Sequence, residues 1–144
     1  MTGSTIETQA LRNTPFFSGL PPEDIEGIIE VGQPVSFSAG DRIVTEGEQG
    51  DGMYVVLSGT AEVDVGGRFH KLTGGDFFGE MALVSAGKRM ATVKATARVE
   101  ALKIPADAFQ DFLLEHPRCA ILMMRALVDR LREVEQRIDA WMAN

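Results

Sequence analysis

The sequence predicts an α+β fold: an eight-stranded antiparallel β-roll, or double-stranded jelly roll, flanked by N-terminal helices and a C-terminal helix pair. Three observations carry this expectation. Of the 15 glycines, 11 fall between Gly40 and Gly87, where they punctuate short segments of alternating polarity. Before that region Ile6, Ala10 and Leu11, then Ile25, Ile28 and Ile29, recur at helical spacing. After it, Ile121, Met124, Leu127, Val128, Leu131, Val134, Ile138 and Trp141 form a long apolar stripe at steps of three and four. The 144 residues fit a single domain, 1 to 144, divided into helices over 1 to 33, a roll over 34 to 105 and paired helices over 106 to 142.

Each element has its own signal. Residues 1 to 4 are small and polar and are expected to fray, and the first helix then stops at Asn13-Thr14-Pro15. Phe16 to Leu20 form an apolar knuckle in which Phe16 and Phe17 are core. Pro21-Pro22-Glu23-Asp24 opens the second helix with proline and acids in its first turn, and Gly32 ends it. Strands are expected near 34–38, 42–45, 53–58, 61–65, 68–72, 76–78, 90–95 and 98–104. Gly66-Gly67 is a two-residue hairpin signal and Ser58-Gly59-Thr60 a second tight connection, while the loop after Gly47 is read as a simple turn. Asp107 to Glu115 make a helix with Ala108, Phe109, Phe112 and Leu113 on one side. It must end at His116, because Pro117 disfavours helix in its predecessor. In the last helix Met123 and Met124 are read as core filler, and Asp129 with Arg132 and Glu133 with Arg137 stand at ion-pair spacing.

Composition excludes several functions. A net charge of −7 argues against an autonomous nucleic-acid binder, and any phosphate would have to be held by local groups against the overall field. No apolar run approaches a membrane span, so no membrane insertion is expected. The N-terminus lacks a basic start and an apolar signal core, which predicts a cytoplasmic location. The single cysteine, Cys119, lies in an apolar helical stretch and reads as a buried thiol.

The stretch Gly79 to Arg89 is pinned between the apolar edge Phe77-Phe78 and the alternating segment Met90 to Ala95. Met81 to Val84 suit one turn of helix whose free N–H groups point back toward Gly79, a geometry that attracts anions. Glu80 places a carboxylate at that end, able to accept from sugar hydroxyls. Nine positions on, Arg89 brings a planar fork suited to a phosphate. Taken singly, either residue reads as an ordinary solvated charge.

Phe78-Gly79-Glu80-Met81-Ala82-Leu83-Val84, four residues, then Arg89-Met90-Ala91-Thr92-Val93 resembles the phosphate-binding cassette of cyclic nucleotide-binding domains such as those of the catabolite activator protein. The stretch Glu46 to Gly59 resembles a strand, loop and strand of the same family, and the likeness spans nearly all of residues 10 to 140. The resemblance implies a cyclic nucleotide ligand: Glu80 on the ribose 2′-hydroxyl, Arg89 on the cyclic phosphate, and backbone at Gly79, Met81, Ala82, Met90 and Ala91 completing a cradle over 79 to 91. Cyclic AMP is expected over cyclic GMP, because guanine-preferring members often carry Thr after the Arg, where this chain has Met90. The resemblance also makes the C-terminal helices a hinge and a lid over the base. Leu131, Val134 and Glu135 lie near its middle, and Arg130 or Arg132 are candidate stacking partners. The same helix could join two copies as a homodimer, and occupancy would act on an effector protein or a linked domain.

Other readings fare worse. Gly87-Lys88 has Ala82 and Arg89 where a Walker loop needs Gly and Ser or Thr. A metal-dependent cupin-like enzyme would need a ligand cluster, but His70 and His116 stand far apart, so no metal and no enzyme are expected. No Ser flanked by glycines forms a nucleophile elbow. With no helix-turn-helix after the long helix, direct DNA contact is not expected. The principal rival is a degenerate module of the same fold that serves only protein interaction.

Overall fold

The computed structural model describes residues 5 to 143, so the expected fraying of residues 1 to 4 lies outside them. Helices α1 (Thr5–Asn13) and α2 (Pro22–Glu30) precede eight strands: β1 (Gln33–Phe37), β2 (Arg42–Val44), β3 (Gly52–Ser58), β4 (Ala61–Val65), β5 (Arg68–Leu72), β6 (Phe77–Phe78), β7 (Thr92–Ala95) and β8 (Val99–Pro105). Helices α3 (Ala106–Glu115) and α4 (Pro117–Ala143) follow. All eight strands are antiparallel and form two four-stranded sheets, in the orders β1-β8-β3-β6 and β2-β7-β4-β5. This is the expected jelly roll.

β3 explains the layering. Its run Met53-Tyr54-Val55-Val56 is buried at every position, because alternate side chains enter two different cores. Tyr54 and Val56 point between the sheets, where they meet Ile43, Ala61, Val93, Ala95, Val99 and Ala101. Met53 and Val55 point to the helices and join Leu11, Phe17, Ile25, Ile28, Ile104 and Phe109. Phe17 packs edge-on against Phe109 at 5.8 Å, and both are fully buried. Each such side chain contributes about 1.5–3 kcal/mol through burial, so the N-terminal knuckle holds α3 against the roll. At the tip of the β4–β5 hairpin, Gly66 and Gly67 both take positive φ (58° and 87°), as a primed two-residue turn requires.

Three expectations are corrected. β7 begins at Thr92 and not at residue 90, because Met90 and Ala91 belong to the preceding loop. In α4 the packed face is Cys119 and Met123 with Leu122 beside them, whereas Met124 is exposed. The apolar stripe from Ile121 to Trp141 is exposed along its whole length: Ile121 and Met124 lie off the packed face, and from Leu127 onward every described residue of α4 is exposed. Of the two expected ion pairs, Asp129–Arg132 stands at 3.8 Å, and Glu133 and Arg137 are not joined.

Candidate functional site

The stretch after β6 forms a 3-10 turn, Glu80–Leu83. Gly79 enters it with φ 78°, and a Cβ there would collide with Nη1 of Arg89, so both backbone and space demand glycine. Leu83 is fully buried in the helix-side core and anchors the turn. Its carbonyl accepts a hydrogen bond from Nε2 of Gln110 on α3 at 2.9 Å. The amide of Ala82 donates to Gly79 O at 3.1 Å, so within the turn the N–H groups without an acceptor are those of Glu80 and Met81. The Met90 and Ala91 amides also have no acceptor among the described residues.

The loop after Gly47 does more than turn. Arg89 N donates to Glu48 O at 2.7 Å, Gly47 N to Arg89 O at 2.9 Å, and Gly50 N to Gly87 O at 2.9 Å. Residues 47 to 50 thus pair with 87 to 89 as a short ribbon, with Gln49 opposite Lys88. This pairing fixes the backbone that carries Arg89.

The Arg89 side chain is only 8% exposed. Its Nη2 donates to Gly52 O at 2.8 Å and lies 3.4 Å from Asp51 Oδ1, while the guanidinium carbon sits 5.9 Å from the Tyr54 ring centroid. Among the described residues Nε and Nη1 have no acceptor, so part of the guanidinium is free to meet a ligand. Asp51 also accepts from Lys103 Nζ at 2.8 Å. That hydrogen bond holds its carboxyl below the usual range, with the charges of Lys103 and Arg89 adding to the effect and burial opposing it. For Lys103, burial pulls downward, yet the Asp51 bond and Tyr54 together move it upward.

A cavity of about 350 Å³ opens here, within the range of small-molecule sites. Gly79, Glu80, Met81, Ala82, Arg89, Met90 and Ala91, all identified from the sequence, line it. So do Phe78 and Val93, which flank the cassette in the sequence, Ser85, Gly87 and Lys88 within it, and Val44, Gly50 and Val63, which sequence reasoning missed. Those valines looked like ordinary strand interior, and the partner of Arg89, Asp51, lies 38 residues away with no local signal except its place in the Gly50-Asp51-Gly52 cluster. The structure does not bring the remaining candidates to the cavity. Arg130, Leu131, Arg132, Val134 and Glu135 sit on the exposed outer half of α4, and none of them lines it.

The site therefore combines a half-free guanidinium, an unpaired carboxylate on Glu80 and unbonded amides at one end with an apolar floor at the other. This polarity suits a small anion carrying hydroxyls and a flat apolar group. Comparison with known proteins agrees. Residues 34–116, more than half of the chain, match the family model described as "Cyclic nucleotide-binding domain". The chain belongs to that family.

Among its relatives is a CRP-like cAMP-activated global transcriptional regulator of Mycobacterium tuberculosis, 28% identical over 136 residues, which cover 90% of this chain and 61% of that protein. Another is a cAMP-dependent protein kinase regulatory subunit of Blastocladiella emersonii, 32% identical over 72% of this chain and 27% of that protein. The N-terminal domain of a transcriptional regulator from Streptomyces coelicolor A3(2) superimposes with a TM-score of 0.77 at 29% identity, covering 88% of this chain and 95% of that one. The chain spans less than two thirds of the length of these two full-length relatives. It is a cyclic nucleotide-binding regulatory module. Among the described residues no group of three His, Cys, Asp or Glu could hold a metal, and no helix is long and apolar enough to cross a membrane.

Proposed function

We propose that the module binds cyclic AMP in this cavity and that occupancy repositions its C-terminal helices. The half-free fork of Arg89 beside Gly79 is the observation that carries the reading. Nη1 and the second N–H of Nη2 take the phosphate oxygens while the other N–H of Nη2 stays on Gly52, so the arginine is oriented before the ligand arrives. The amides of Met90 and Ala91 add donors, and that of Ala82 joins them by giving up Gly79 O. Glu80 accepts from the ribose 2′-hydroxyl, and the valines meet the base.

Met90 offers a thioether that cannot donate to guanine, which favours cyclic AMP over cyclic GMP. Coupling runs from the turn to α3 through buried Leu83 and the Gln110 bond to its carbonyl, and α3 leads directly into α4. The exposed stripe of α4 supports a moving role. Swung over the base it would bring Leu131, Val134 and Glu135 to the ligand, with Arg130 or Arg132 stacking; left outside, it would suit a second copy or an effector. We read the module as acting in the cytoplasm.

Thermal unfolding with each nucleotide tests this. Cyclic AMP at a hundred times its Kd should add about 2.7 kcal/mol of stability. No shift at millimolar concentration would leave the protein-interaction reading, and a larger shift with cyclic GMP would overturn the selectivity.

A further inference from the structure

Asp51 stands between two cations. Its Oδ2 accepts from Lys103 Nζ at 2.8 Å, whereas its Oδ1 lies 3.4 Å from Nη2 of Arg89, longer than an ordinary charged hydrogen bond. The carboxylate therefore belongs mainly to Lys103, and that bond is also the chief reason it is held below the usual range, ahead of the Arg89 charge. Lys103 has a fixed place of its own. It sits on β8 directly opposite Tyr54 of β3, its Nζ lies 5.7 Å from the centre of the Tyr54 ring, and its side chain is 21% exposed. It does not line the nucleotide cavity but a separate hollow, with Gln33, Asp107 and Asp111 as the other polar side chains beside Asp51.

We propose that Lys103 is a positioning residue for ligand binding: by holding Asp51 it keeps that carboxylate from closing on Arg89, and so leaves the guanidinium available to a phosphate. The inference rests on the cyclic nucleotide reading above. Nη2 of Arg89 has two N–H groups, one committed to Gly52 O at 2.8 Å and the other facing Asp51 at the longer distance. The second is the one a phosphate would take, so ligand and Asp51 compete for it. Among the described residues Lys103 and Arg89 are the two cations paired with Asp51, and Gln33, Asp107 and Asp111 supply no other. With Lys103 gone, Arg89 is the cation left to the carboxylate, and closing by roughly half an ångström would make a full charged hydrogen bond.

The test is calorimetric titration of cyclic AMP into the unaltered chain, Lys103→Met, Lys103→Arg, Asp51→Asn and the double variant Asp51→Asn with Lys103→Met. Lys103→Met should weaken cyclic AMP by about threefold to fivefold, the size of one partly exposed charge pair. Lys103→Arg, which can still donate to Asp51, should restore binding to within about twofold of the unaltered chain. In the Asp51→Asn background, adding Lys103→Met should change Kd by less than about twofold, because no carboxylate is left to hold. The guanidinium nitrogen resonances of Arg89 in the ligand-free protein give a readout that a purely structural role would not move. Lys103→Met should slow rotation of the Nη2 group, and the double variant should not. If Lys103→Met bound cyclic AMP like the unaltered chain, or lost as much with Asp51→Asn as without it, the role of Lys103 would be overturned alone. If the unaltered chain bound no cyclic AMP, both readings would fall.

Discussion

Replacing Arg89 by alanine should affect ligand binding and the free fold by different amounts. In the ligand-free chain the guanidinium is 8% exposed and donates one good hydrogen bond, 2.8 Å to Gly52 O, with a longer contact to Asp51. Its loss should cost the free fold about 1–2 kcal/mol, chiefly by leaving that carbonyl without its donor. Binding should suffer more, because two further charged hydrogen bonds to the phosphate disappear at once. At roughly 1.5–3 kcal/mol each, less what water restores, Arg89→Ala should cost about 3–5 kcal/mol, or roughly 150- to 5000-fold in Kd for cyclic AMP. Arg89→Lys should recover only part, since an ammonium cannot reproduce the fork. Lys88→Ala should change Kd by less than about threefold, because that side chain, although at the cavity's rim, is exposed and its ammonium stays solvated. Calorimetry at matched ionic strength reads all three. Equal losses for Lys88→Ala and Arg89→Ala, or Arg89→Ala within threefold of the unaltered chain, would refute the placement of the phosphate.

Three further outcomes follow from the same geometry. Glu80→Gln should weaken cyclic AMP by about threefold to tenfold but change 2′-deoxy cyclic AMP much less, as competition binding would show; equal effects would dissociate Glu80 from the 2′-hydroxyl. Leu83→Ala should lower stability by about 2–5 kcal/mol in denaturant unfolding, because the side chain is fully buried where the turn meets the core; a loss under about 1 kcal/mol would mean that the turn is not anchored there. Asp51 has its folded-state value depressed, so its stabilising ion pair is complete above the ordinary carboxylate range and is lost as pH falls through the depressed value. The stability gap between the unaltered chain and Asp51→Asn should be flat from neutral pH down to that range and shrink below it; a gap that widened on acidification would contradict the assignment.

What the sequence made legible was local. The eight strands announce themselves through alternation and glycine turns. The cassette is contiguous, so Gly79, Glu80, Ala82 and Arg89 could be recognised by spacing within one segment. What stayed hidden depends on register between distant segments. Asp51 and Arg89 are 38 residues apart, the ribbon of 47 to 50 with 87 to 89 joins two loops, and the row of Val44, Val93 and Val63 exists only once three strands are aligned. The stripe on α4 shows a different limit. Periodicity marks a face as apolar but not as packed, and here Cys119 and Met123 meet the body while Leu127, Leu131 and Ile138 meet solvent. Cys119 was legible as a buried thiol; burial, with Asp24 adding to it, pushes it up to about 12.

Under the proposed function, a cyclic phosphate sits in the cradle between the 3-10 turn and Arg89. Backbone amide resonances of Ala82, Met90 and Ala91 test it most directly, since Met90 and Ala91 are unbonded in the free chain and Ala82 must exchange Gly79 O for the ligand. Titrated with cyclic AMP, these three amides should shift in a saturable manner with one ligand per chain, whereas adenosine, which has the base and ribose but no phosphate, should leave them in place. Amides that stay unmoved by cyclic AMP, or that move equally with adenosine, would contradict a phosphate in that cradle.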